Sequence, residues 1–140
     1  MYSMTKTLKK LRAAFYWAQT MHRYSKAEYQ DALDSYNRYS RFKKPRSVQL
    51  AFYATLQIAL GNSHLAKKEL GGVINRIRKL PKSKQNDNTR YVELYAKMYL
   101  SLIKKTDDHR VYWTEAKELS PKKTLRRWLP LPDKFEFEEN

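Results

Sequence analysis

The chain holds three histidines, His22, His64 and His109, widely separated in sequence. A metal site or an acid–base pair needs groups that converge, and only His109 has adjoining carboxylates, Asp107 and Asp108. In that triplet the two acids read as the cap of a helix start, where carboxylates complement the N-terminal dipole, and His109 reads as a surface side chain. The absence of cysteine removes a thiolate nucleophile, a thiolate metal site and a disulfide framework together. Gly71-Gly72 has neither the lysine–serine pair nor the preceding strand of a phosphate loop; inside a helix it marks close packing or a weak point. Serines and threonines fall at capping and turn positions and declare no triad with histidine and acid. The expectation is a non-enzyme with no catalytic residue, no metal and no cofactor.

What the chain does carry is positive charge. Lysine and arginine total 29 against 14 acids, a formal net charge of +15 over 140 residues. Such a field draws nucleic acid, an anionic membrane surface or an acidic protein. The cations fall in groups: Lys6, Lys9, Lys10 and Arg12; Arg38, Arg41, Lys43, Lys44 and Arg46; Lys67 and Lys68 with Arg76, Arg78, Lys79, Lys82 and Lys84; and Lys122, Lys123, Arg126 and Arg127. With 41% hydrophobic and 14% aromatic residues the chain is too apolar for a disordered basic tail and should fold. Even Leu50 to Leu60 is interrupted by Thr55 and Gln57, well short of the roughly 18 apolar residues of a membrane span. Residues 1–21 lack the apolar core and cleavage site of a secretory signal, although their acid-free amphipathic character resembles an organellar transit peptide. A cytoplasmic location is expected.

These groups need elements to position them. Pro45, Pro81 and Pro121 stand 36 and 40 residues apart, with long proline-free stretches between. Within them apolar residues recur at three- and four-residue steps: Leu11, Phe15, Ala18 and Met21, then Tyr29, Ala32, Leu33, Tyr36 and Tyr39. The spacing predicts helices near 4–23, 26–43, 46–60, 63–79, 89–105 and 108–119, a short basic helix near 121–128, and an exposed loop over 79–88. An offset of 34 lays Tyr16 on Leu50, Thr20 on Ala54, Ala32 on Ala66, Tyr36 on Leu70 and Tyr39 on Val73. That is the tetratricopeptide period, and the run Glu28 to Tyr36, with Leu60-Gly61 and Ala66 in the next unit and Trp113, Ala116 and Pro121 in a looser third, resembles the tetratricopeptide repeat family. The resemblance implies an all-α, right-handed α-solenoid of about three hairpins, near 4–43, 46–79 and 89–119. These would form one domain over 1–128, closed by the short helix, with an extended acidic tail over 129–140.

By register with that family, the first helix of each hairpin lines a concave face. The resemblance therefore implies an apolar partner-binding groove carrying Trp17, Met21, Tyr24, Phe52, Thr55, Tyr91, Tyr95 and Met98. Trp17 and Met21 stand where a carboxylate clamp would need polar groups, which argues against such a clamp. Arg38, Arg41, Lys43 and Lys44 occupy places homologous to Arg76, Arg78, Lys79, Lys82 and Lys84, so stacking would make a basic ridge. The tail from Trp128 to Asn140 holds one lysine against four acids, −3, leaving +18 on residues 1–127; it is a candidate to fill the groove. The leading expectation is a protein-interaction module or adaptor for an acidic or amphipathic partner segment, steered by the ridge. The alternative is a sequence-nonspecific nucleic-acid-binding factor in which the ridge meets phosphates and Tyr39, Phe42 or Tyr91 stacks on bases. Self-association through an open end is also compatible with the pattern.

Overall fold

The computed structural model describes residues 5–133, so the acidic half of the expected tail falls outside the described residues. Among those residues the chain is all-helical: α1 (Lys6–Ser25), α2 (Tyr29–Phe42), α3 (Ser47–Ala59), α4 (Ser63–Arg78), α5 (Asp87–Lys104), α6 (His109–Glu118) and α7 (Lys123–Trp128), with one 3-10 turn over Lys82–Lys84. No helix among them is long and apolar enough to cross a membrane.

Local chemistry sets the boundaries. Thr5 starts α1 by accepting the Leu8 N–H at 3.1 Å, and Ala27, in the left-handed region at φ 58°, turns the chain into α2. Pro45 cannot continue a helix and its predecessor avoids the helical region, so α2 stops at Phe42. Gly61 adopts φ 85° immediately after α3, a conformation glycine takes without a Cβ penalty. At the start of α5, Asn86 and Thr89 cap each other: the Thr89 N–H donates to Asn86 Oδ1 at 3.1 Å and the Asn86 N–H to Thr89 Oγ1 at 2.9 Å. The polar stretch before α5 is exposed, as its composition implies, and tightened by the 3-10 turn.

Two compact units divide within α4, between Glu69 and Leu70. In the first, α1 packs along α2 and α2 meets α3. Ala32 and Ala66 are fully buried, the small residues that let helices approach, and Tyr36, Tyr39, Phe52 and Leu56 fill the space around them. Thr20, which the 34-residue offset lays on Ala54, is also fully buried; its hydroxyl donates to the Tyr16 carbonyl at 2.7 Å, so that hydroxyl is satisfied. In the second unit α5 packs along α6. The core there is Val73, Ile77, Tyr91, Leu94, Met98, Ala116, Leu125 and Leu129.

The segment after α6 is fastened to that second unit. Asp87 and Asn88, in the first turn of α5, accept the backbone N–H groups of Ser120 and Lys122, each at 2.9 Å. Arg126 lies 5.3 Å from the centre of the Tyr91 ring, and its Nη2 donates to the Leu119 carbonyl. The Tyr91 hydroxyl donates to the Leu129 carbonyl at 2.6 Å, and Trp113 Nε1 to the Pro132 carbonyl at 2.8 Å. Extension after Trp128 is as the alternating prolines require, but the segment is anchored by Leu129, which is fully buried, while Pro130 is exposed.

Candidate functional site

The residues assigned to an apolar groove separate by burial. Phe52, Thr55, Tyr91, Tyr95 and Met98 are buried, and Trp17 is only 8% exposed; Met21 and Tyr24 keep partial exposure. As anchors open to a partner, the six buried residues are corrected to core. Trp17 sits 5.3 Å from both the Tyr39 and Phe52 rings, and Tyr24 lies 5.0 Å from Phe52, edge to face. The physical reason is that an aromatic at helical spacing gains more by filling its own unit than by waiting exposed.

The outward surface of α1 is different. Leu11 and Phe15 are 62% and 60% exposed, and Ala14 and Ala18 are exposed beside them. Positions 11, 14, 15 and 18 share one helical face, so α1 has two apolar stripes, one buried through Ala13, Trp17 and Thr20 and one facing solvent. Lys10 and Arg12 are each one residue from Leu11, roughly 100° around the helix, and border the outer stripe on its two sides.

Next to it rings and guanidinium groups alternate. Arg12 lies 5.8 Å from the Phe42 ring; Phe42 stacks on Tyr16 at 5.8 Å with 10° between planes; Arg38 lies 5.9 Å from Tyr16 on α1. Both rings are half-buried and both arginines exposed. Arg41, Lys43 and Lys44 of the expected ridge are exposed, at the end of α2 and just beyond it. Within residues 5–69 there are 13 Lys/Arg against 4 Asp/Glu, a net +9. Of the three aromatics considered for base stacking, Tyr39 and Tyr91 are buried and only Phe42 has an open surface.

In the second unit Arg76, Arg78, Lys79, Lys82 and Lys84 are all exposed. One charged cluster there was not legible in sequence. Glu93 on α5 is nearly buried and meets Arg90 at 2.7 Å, Lys97 at 3.6 Å and Arg78 at 3.7 Å, while Arg90 also reaches Glu115 at 2.9 Å. The i, i+3 and i, i+4 spacing of Arg90 and Lys97 about Glu93 was the available signal; Arg78 and Glu115 come from other helices.

The histidine triplet departs from expectation. Asp108 occupies the position before α6 but its carboxylate caps nothing, and His109 is buried, its Nδ1 3.0 Å from the Thr106 carbonyl. The imidazole is held by the turn that precedes α6, which takes it off the surface. Among the described residues no three His, Cys, Asp or Glu side chains gather as metal ligands. Gly71-Gly72 is not close packing either: a Cβ built on either glycine meets nothing within 4 Å, which leaves the weak point.

Burial shifts several phenols. Tyr36 is pushed far above the usual tyrosine range, and its hydroxyl is buried without a hydrogen-bond partner among the described residues. Tyr91 is pushed up to about 12 by burial, against the opposing pull of Arg126. Comparison of the chain with models of known families, with curated proteins and with solved structures returns no match.

Proposed function

We propose that the protein is a tetratricopeptide-like binding module, not a catalyst, that takes an acidic amphipathic helix of a partner protein on the outer stripe of α1. The observation that carries this reading is the pair Leu11 and Phe15, more than half exposed on one helical face and bordered by Lys10 and Arg12. An amphipathic helix with apolar residues on one face and carboxylates on its edges matches both features, and the +9 surroundings would steer its approach. The repeat reading, including a right-handed solenoid of three hairpins, is supported by the 34-residue offset and by full burial of Ala32 and Ala66.

The test is an anisotropy titration with a labelled helical peptide bearing leucines on one face and glutamates on the other. Polyglutamate of equal charge is the control, at about 50 and 200 mM salt, a range over which purely ionic binding collapses. The double variant Leu11→Ser/Phe15→Ser should bind the amphipathic peptide at least tenfold more weakly and leave polyglutamate unchanged. Equal affinity for the two peptides, or a double variant that binds like the parent, overturns the reading.

A second reading, single-stranded nucleic acid, is favoured by one specific arrangement: the Arg12, Phe42, Tyr16 and Arg38 stack beside Arg41, Lys43 and Lys44. Arginine and half-open rings suit base stacking, with phosphates on the lysines. It predicts that an oligonucleotide outcompetes the peptide at the higher salt, and that Phe42→Ala and Lys43→Glu/Lys44→Glu each weaken it. Unchanged affinity in both variants removes it.

A further inference from the structure

Between α4, α5 and α6 of the second unit lies an open cleft of about 410 Å³. Its lining includes Arg78, Lys97 and Lys104, a single carboxylate, Asp108, and the apolar surfaces of Ile74, Leu100 and Tyr112. Three cations against one acid is an excess of two positive charges on a small concave surface. Glu93, behind the lining, holds Arg90 at 2.7 Å, and its ion pairs to Lys97 and Arg78 are longer, 3.6 and 3.7 Å. Lys104 is exposed and has no carboxylate within ion-pair distance among the described residues. Ser101 and Thr106, also in the lining, add hydroxyls.

Gly71 supplies a second line of argument. It weakens α4, its backbone has no left-handed conformation to require glycine, and no neighbour occupies the space a Cβ would take. Gly71 is itself part of the cleft wall. Glycine there leaves α4's backbone open to close approach by a bound molecule.

We propose that this cleft binds a small organic phosphate. The dianion would sit among Lys97, Lys104 and Arg78, and the uncharged part against Tyr112, Leu100 and Ile74 beside Gly71. The volume is far larger than a bare oxyanion needs and lies in the range of small-molecule sites, about 300–1,000 Å³. Clefts of this kind combine apolar walls with a few converging polar groups.

The test uses the full chain, labelled with nitrogen-15 and titrated with phenyl phosphate; inorganic phosphate and phenol are the separate fragments. Phenyl phosphate should bind at least tenfold more tightly than either, with amide shifts centred on residues 71–78, 97–108 and 112. Lys104→Gln, an exposed change that leaves folding intact, should weaken it at least threefold, and Lys97→Gln/Lys104→Gln at least tenfold. Gly71→Ala should weaken binding while the melting temperature holds or rises, a combination that a purely structural glycine would not give. Leu11→Ser/Phe15→Ser, in the other unit, should leave phenyl phosphate untouched, so failure here is distinct from failure of the α1 reading. The proposal is overturned by shifts spread over all basic surfaces, by phenyl phosphate binding no better than inorganic phosphate, or by an affinity that Lys104→Gln leaves unchanged.

Discussion

Phe15 and Trp17 stand two residues apart on α1 and should respond oppositely to truncation. Trp17 is 8% exposed with the Tyr39 and Phe52 ring centres each 5.3 Å away; Phe15 is 60% exposed and, among the described residues, has one ring partner, Tyr16, edge to face at 5.3 Å. Emptying a buried Trp site to Ala costs about 3–5 kcal/mol, the lost transfer free energy plus the cavity. A domain is stable by about 5–15 kcal/mol, so the loss is about a fifth of the total or more. With a urea dependence of about 2 kcal/mol per molar, Trp17→Ala should lower the unfolding midpoint by roughly 2 M. Phe15→Ala removes surface that water already wets and should cost no more than about 1 kcal/mol, the aromatic edge contact included. Urea titration followed by far-ultraviolet circular dichroism reads both. A Trp17→Ala midpoint within about 0.5 M of the parent, or a Phe15→Ala loss as large as that of Trp17→Ala, would refute the assignment of the two stripes.

Two tyrosine-to-phenylalanine changes should split in sign. Tyr91→Phe strands the buried Leu129 carbonyl and should cost about 1–3 kcal/mol, whereas Tyr36→Phe removes a buried hydroxyl with no partner and should be neutral or stabilising by up to about 1 kcal/mol; chemical denaturation measures both. Glu93→Gln leaves Arg78, Arg90 and Lys97 without their shared carboxylate; because these cations are partly exposed, a loss of about 1–2 kcal/mol that shrinks in high salt is expected in paired urea titrations. Ala32→Leu forces bulk into a fully buried helix contact and should destabilise by about 1–3 kcal/mol or more, read as a lower melting temperature. For Tyr91 the folded value of about 12 lies above the unfolded value of 10, so its contribution is complete below pH 10 and is lost as pH rises to about 12; unfolding titrations across that window, with tyrosinate absorbance, should show falling stability.

Helix order and bounds were readable because the signals are local. The predicted helix at 26–43 is α2 at Tyr29–Phe42, and the one at 63–79 is α4 at Ser63–Arg78, each fixed by a proline or glycine nearby. Burial of Ala32 and Ala66 followed from the 34-residue offset. Periodicity does not say which of two apolar faces on one helix is covered, and α1 carries two. Trp17 therefore reads as an anchor in the sequence, although the stripe open to solvent is the one through Leu11 and Phe15. Glu93 in an apolar helix, the buried His109 and the fastening of residues 119–132 depend on partners far along the chain, which spacing cannot supply.

That fastening has a kinetic consequence. The helix hairpins join residues close in sequence, but the bonds from Ser120 to Asp87, Lys122 to Asn88 and Tyr91 to Leu129 span 33, 34 and 38 residues. Contacts of high sequence separation must wait until a long loop has closed, so hairpins condense first and this edge zips up late. Under native conditions the same edge should open before the helices do. The backbone amides of Ser120 and Lys122 would then exchange with solvent ahead of the α5 core, as a separable, low-energy excursion of an otherwise closed unit.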